Sequence, residues 1–169
     1  MTPALLTRAV CALFLFSAPL AAEGIMVDDA YIRSSTAKST SGAAFMVVMN
    51  HSGVDDRLIG ASSDVADKVE LHSHTSDDNG VMRMGEIEGG VAIAADDMHA
   101  FKRGGDHLMF MGLKGPLEQG AMVPVTLEFE KAGAVEIEVM GDQDRKPNHG
   151  KMKHDHGDMD HTGHEMPKD

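Results

Sequence analysis

The stretch VELHSHTSDDNGVMRM, Val69 to Met84, decides the fold. Strand side chains alternate between faces, so Glu70, His72 and His74 share one side and Val69, Leu71 and Ser73 the other. TSDDNG has turn chemistry and reverses the chain. On the return strand Met82 and Met84 fall on one face, with Val81 and Arg83 opposite. The reading is a β-hairpin that carries an imidazole pair on one arm and a thioether pair on the other.

Working outward, short strands separated by glycine-containing breaks continue in both directions. MVDDAYIR, GAAFMVVMN, RLIGAS, KVELHSH, GVMRMGEI, GVAIAA, DHLMFMGL, MVPVTLEFE and AVEIEVM between them show β-branched content and period-2 alternation. Together they predict an all-β Greek-key sandwich of about eight strands over residues 23–141, with no long window of helical period. The last two strands, joined by KAGA, form a closing hairpin with Glu128, Glu130, Glu136 and Glu138 toward solvent.

The ends differ from this body. Residues 1–22 place Arg8 before an apolar run from Ala9 to Phe16 and the small residues SAPLAA, the layout of a secretory signal peptide cleaved after Ala22. The run is shorter than the ~20 residues a membrane span needs, so no insertion is expected after signal removal. Cys11 is not preceded by the small residue a lipoprotein signal requires, which argues against a lipid anchor. Cys11 is also the only cysteine, so the mature chain has no disulfide and its core holds by packing alone. After Gly141 the composition changes to DQDRKPNHGKMKHDHGDMDHTGHEMPKD, without aromatic or β-branched apolar residues. Such a segment cannot bury enough apolar surface to order itself, so residues 142–169 are expected to be a disordered tail.

The formal charge of −12 becomes one unit more negative once Arg8 leaves with the signal. Nucleic acid and anionic lipid would repel such a chain, whereas cations suit it. No G-x-S-x-G, phosphate-cradling loop or Ser/His/Asp set is present, so a binding protein rather than an enzyme is expected. TSDDNGVMRMGE aligns Asp77, Asn79, Gly80 and Glu86 with a calcium loop, but Thr75 takes the first ligand position and no helices flank it.

GGDHLMFMGLKG supplies the other half of a site. Counting in twos puts His107, Met109 and Met111 on one face, with Leu108 and Phe110 on the core side. If this strand neighbours the hairpin, His72, Met84, His107 and Met109 converge, with His74, Met82 and Met111 as further candidates. Thioether and imidazole together select a soft cation, above all Cu(I). Methionine sulfur neither titrates nor oxidises to a disulfide, which suits a ligand outside the cytoplasm. Met46, Met49, Met98, Met122 and Met140 read as core filler, and His51 and His99 as surface or hydrogen-bonded groups. A blue-copper electron-transfer site needs a Cys thiolate, which the mature chain lacks.

The combination VELH, GVMRM and HLMFMGL resembles the periplasmic copper chaperone A (PCuAC) family, whose motif has the form H-(M)-x10-M-x21-H-x-M. Met84 stands at its first methionine and Ser73 at the optional one; His107 falls one residue late, so Met82 rivals Met84. The resemblance covers about residues 26–140. It implies a cupredoxin-like fold, a solvent-near Cu(I) site, a periplasmic location, and delivery of copper to an apo copper centre of cytochrome c oxidase or to another copper chaperone. Some members carry a His/Met-rich extension. Here His149, His154, His156, His161 and His164, with Met152, Met159 and Met166, are expected to bind Cu(II) and further Cu(I). A copper buffer without a specific recipient is the competing expectation.

Overall fold

A computed structural model describes residues 24–76 and 80–146. The expected signal peptide, the residues at the tip of the Ser76–Met82 turn and nearly all of the expected tail lie outside the described residues. Those that are described contain ten strands and no helix: β1 (Ile25–Ser34), β2 (Ser41–Asn50), β3 (Asp56–Ser62), β4 (Lys68–Ser76), β5 (Met82–Glu86), β6 (Val91–Ile93), β7 (Met98–Phe101), β8 (His107–Met111), β9 (Met122–Phe129) and β10 (Gly133–Gly141).

Alternation accounts for most of them. On β9, Val123, Val125, Leu127 and Phe129 are buried while Met122, Pro124 and Glu128 are exposed. β8 buries Leu108 and Phe110, and β2 buries Ala44, Met46 and Val48. These meet Ile32, Leu58, Leu71, Ile93 and Val139 in one core. The β9–β10 hairpin forms as its sequence predicts, with its four glutamates exposed.

The sheet order is β5-β4-β8-β2-β1-β10-β9-β3-β6, and a further pairing of β3 with β4 through Ala61 and Val69 closes it on itself. β1 and β10, the first and last strands, run parallel, with Tyr31 opposite Met140. Parallel neighbours need a crossover, and here most of the chain forms it. Three strands change partners along one edge. β2 pairs with β8 over Ser41–Ala44 and with β7 over Met46–Met49; β4 pairs with β3 at Val69 and with β5 over His72–Ser76; β3 pairs with β4 at Ala61 and with β6 over Asp56–Leu58.

The all-β cupredoxin-like expectation is met, with ten strands rather than about eight. β7 is the strand that the sequence does not announce. MHAF is four residues long between Asp96-Asp97 and KRGG, too short for alternation to show, and it is held by β2. A second correction concerns methionine. Met46 is core, but Met98, Met122 and Met140 are 62%, 55% and 40% exposed and Met49 is only partly buried, because parity puts them on outward faces.

Candidate metal centre

β5, β4 and β8 lie side by side, and their register sets rows on the outward face. His72 stands opposite His107 on one side and Glu86 on the other; His74 opposes Met84, Glu70 opposes Met109, Lys68 opposes Met111 and Ser76 opposes Met82. Directly opposed residues share a face with Cβ atoms ~5 Å apart, and diagonal neighbours are within reach of long side chains. Met109 and Met84 are thus diagonal to the His72–His107 pair, at opposite ends of it. Met82 lies one row farther out beside the turn, and Met111 one row beyond Met109.

His107 is the anchor of this face. Only 2% exposed, it is roofed by His74, whose ring stacks at 4.9 Å between centroids, and flanked by His72 at 6.0 Å and Phe45 at 6.1 Å. The loop between β7 and β8 completes the enclosure. Lys102 N–H donates to the Asp106 carbonyl and Gly105 N–H to the Lys102 carbonyl, and Gly104 takes a positive φ of 79° that a side chain would resist. This fold aims the Gly105 carbonyl at His107, whose Nδ1–H donates to it at 3.0 Å. A carbonyl only accepts, so the tautomer is fixed and Nε2 keeps its lone pair. Burial pushes the His107 pKa below its ordinary value, and the neighbouring imidazoles add to the effect. The ring stays neutral and able to bind a cation.

His72 is held by its other nitrogen. Nε2–H donates to Glu70 Oε2 at 2.8 Å, both side chains being largely buried. Glu70 is in turn paired with Lys68, and these two partners, Lys68 first, hold its carboxyl below the usual range. The arrangement leaves His72 Nδ1 buried with no hydrogen-bond partner. Buried polar atoms are rarely left so, and a bound cation would satisfy this one. A carboxylate that orients a histidine from behind is the usual support of a metal-binding imidazole. His74 Nδ1 is held more loosely, 3.4 Å from the same Gly105 carbonyl.

Sulfur complements this nitrogen pair. Met84 is 49% exposed and Met82 58%, both on a strand whose five residues are all exposed, while Met109 and Met111 are partly buried. Among the described residues no group of three or more His, Cys, Asp or Glu could hold a metal ion, and the other soft donors on this face are thioethers. His72, His74, Met84, His107 and Met109 occupy adjoining rows of one face, with Met82 and Met111 at its edges.

Sequence reasoning missed the supporting groups, Glu70 and the Gly105 carbonyl. Glu70 was legible in principle, since E-x-H on a strand puts the acid beside the imidazole. His51 is exposed, and His99 Nε2 pairs with Asp106 Oδ2 at 2.9 Å, as expected of structural histidines. The calcium-loop register of Thr75 to Glu86 is flanked by strands. The eight tail residues expected to bind copper lie outside the described residues.

Comparison with known proteins bears on the fold and the family. Among solved structures, the chain is similar to the copper-bound PCuAC domain from PmoF2, with a TM-score of 0.59 and 23% identity over 71% of this chain and 93% of that one. The solution structure of Cu(I)-DR1885 from Deinococcus radiodurans matches with a TM-score of 0.58 and 25% identity, over 76% of this chain and 84% of that one. Among curated sequences, "Putative lipoprotein Lxx21020" of Leifsonia xyli subsp. xyli (strain CTCB07) is 35% identical over 118 residues, covering 70% of this chain and 69% of the relative. The profile of the family described as "Putative lipoprotein LpqE-like" matches residues 25–140. The chain belongs to this LpqE-like family of PCuAC-type domains.

Proposed function

We propose that this protein is an exported copper chaperone. It takes up Cu(I) through His72, Met84, His107 and Met109 and passes it to an apo copper centre, that of cytochrome c oxidase being the expected recipient. The observation that carries the reading is the unpartnered, buried Nδ1 of His72 beside a neutral His107 whose Nε2 is free. Two soft sulfurs diagonal to that nitrogen pair favour Cu(I) over Zn²⁺, Ca²⁺ or Mg²⁺. The copper-bound state of a similar domain and the names of the lipoprotein relatives support copper as the cargo and export as the destination.

Release follows from the same features. The histidines are fixed from behind, whereas Met84 projects from an exposed edge strand, so an incoming thiolate or imidazole can replace the thioether first. The described residues end at Lys146, in a groove next to the site. Arg145 and Lys146 line the same groove as Phe45, Arg103 and Gly104, and the Arg145 guanidinium lies 4.2 Å from the Tyr31 ring centroid. Copper captured by His149, His154, His156, His161 and His164 would raise the local copper concentration at the site.

The test is a Cu(I) competition titration followed by transfer. A variant lacking residues 147–169 should hold one tightly bound ion, and His107→Ala with Met109→Leu should lose it. Copper-loaded protein mixed with an apo oxidase copper domain should give up its metal. Retention of the metal, with normal oxidase activity and copper sensitivity in a deletion strain, would identify a buffer instead.

A further inference from the structure

Three methionines outside the site just described form a continuous cross-strand row. Met26 on β1 is directly opposite Met49 on β2, and Met49 is directly opposite Met98 on β7. Directly opposed residues share a face, so all three thioethers project to one side, each with its Cβ ~5 Å from the next. The buried residues of β2 on either side of Met49, Val48 and Asn50, point to the core, so the row is outward. Met26 is 57% and Met98 62% exposed.

Methionine is not the side chain that a pleated surface favours; β-branched and aromatic residues are. Three together on adjacent strands therefore call for a reason other than strand formation. Their long unbranched stems let three sulfurs turn toward a common point. The surroundings suit a cation: Asp28, two residues from Met26 on the same strand, is exposed, and Asp97 precedes Met98 in a chain of formal charge −12. The row lies farther along β2 than the first site, where β2 has left β8 for β7. Phe45, the neighbour of His107, is four residues from Met49, or about 13 Å at ~3.3 Å per residue.

We infer that Met26, Met49 and Met98 form a second, thioether-only site for a soft monovalent cation, Cu(I) or Ag(I), on the outward face of β1, β2 and β7. Three neutral sulfurs leave a fourth coordination position open and bind without releasing protons, so occupancy is insensitive to pH where a histidine site is not. The pairing of Met122 with Met140 on β9 and β10 offers only two sulfurs and does not make an equivalent set.

The test uses the full chain labelled with ¹³C at the methionine methyls and titrated with Ag(I). Separate methyl signals distinguish this row from Met84, Met109 and the C-terminal methionines. The signals of Met26, Met49 and Met98 should move together with a single midpoint. In Met49→Leu, which keeps the apolar stem, those of Met26 and Met98 should need at least tenfold more Ag(I), while Met84 and Met109 respond as before. An unchanged Met46 signal, from the core, verifies that the variant is folded. Methyls that stay unmoved while Met84 and Met109 shift would overturn the site, as would separate midpoints or a Met26 and Met98 response indifferent to Met49→Leu.

Discussion

His72 and His107 face each other from neighbouring strands with ring centroids 6.0 Å apart, and each is gripped by a different nitrogen, Nε2 in His72 and Nδ1 in His107. The grips are supplied by an acceptor-only carboxylate and an acceptor-only carbonyl, so both rings hold their protons away from their free lone pairs.

The carboxylate grip should be measurable apart from the ligands. Glu70→Gln keeps the shape but weakens the acceptor and frees Lys68. Cu(I) affinity measured by chelator competition should fall by roughly tenfold to a hundredfold, the usual loss when a supporting partner is removed. Thermal stability of the metal-free chain should change far less, since Glu70 is on the outward face.

Acid should act on the metal-free chain through His107. Its folded pKa lies below the ordinary 6.5 because burial disfavours the imidazolium. The unfolded chain therefore binds the proton more readily, so this residue's contribution to stability is intact above about pH 6.5 and is lost as pH falls toward the folded value. Urea midpoints measured from pH 7 to 5 should decline more steeply in the native sequence than in His107→Gln.

Asp56 should control the far end of the barrel. It is 6% exposed, and burial alone would raise its pKa, yet backbone N–H groups of Arg57 at 2.7 Å and of Lys131 and Ala132 at 2.9 Å lower it overall. Asp56→Ala leaves those donors of β3 and the β9–β10 turn without an acceptor and should cost roughly 3 kcal/mol in chemical denaturation. The native residue's contribution should be present above pH 3.8 and lost as pH drops through its lower folded pKa.

Phe110→Ala should destabilise the barrel by about 3–5 kcal/mol, because a fully buried ring is removed from the core side of β8. Met109→Leu, one residue away on the opposite face, should leave the melting temperature within a few degrees while weakening Cu(I) binding. A similar stability loss for both would show that Met109 serves packing.

How much of this was legible follows from what strand parity can encode. Alternation alone put His72 with His74, Met82 with Met84 and His107 with Met109, and those shared faces stand. Which row meets which is a property of register between strands remote in sequence, so the direct opposition of His72 to His107, and of Met84 to His74 rather than His72, could not be counted from spacing. β7 escaped because four residues carry too little pattern and its pairing partner lies some fifty positions earlier in the chain. Met122 could have been placed outward: it shares parity with Pro124 and Glu128 against Val123 and Val125.

Among the described residues the edge strand β5 pairs with β4 alone and buries none of its five side chains. The barrel is shut without it, by the contact of Ala61 with Val69. On the proposed reading, letting go of cargo and staying folded would thereby be separate events: the leaf carrying Met84 could lift and resettle while the vessel behind it keeps its seams.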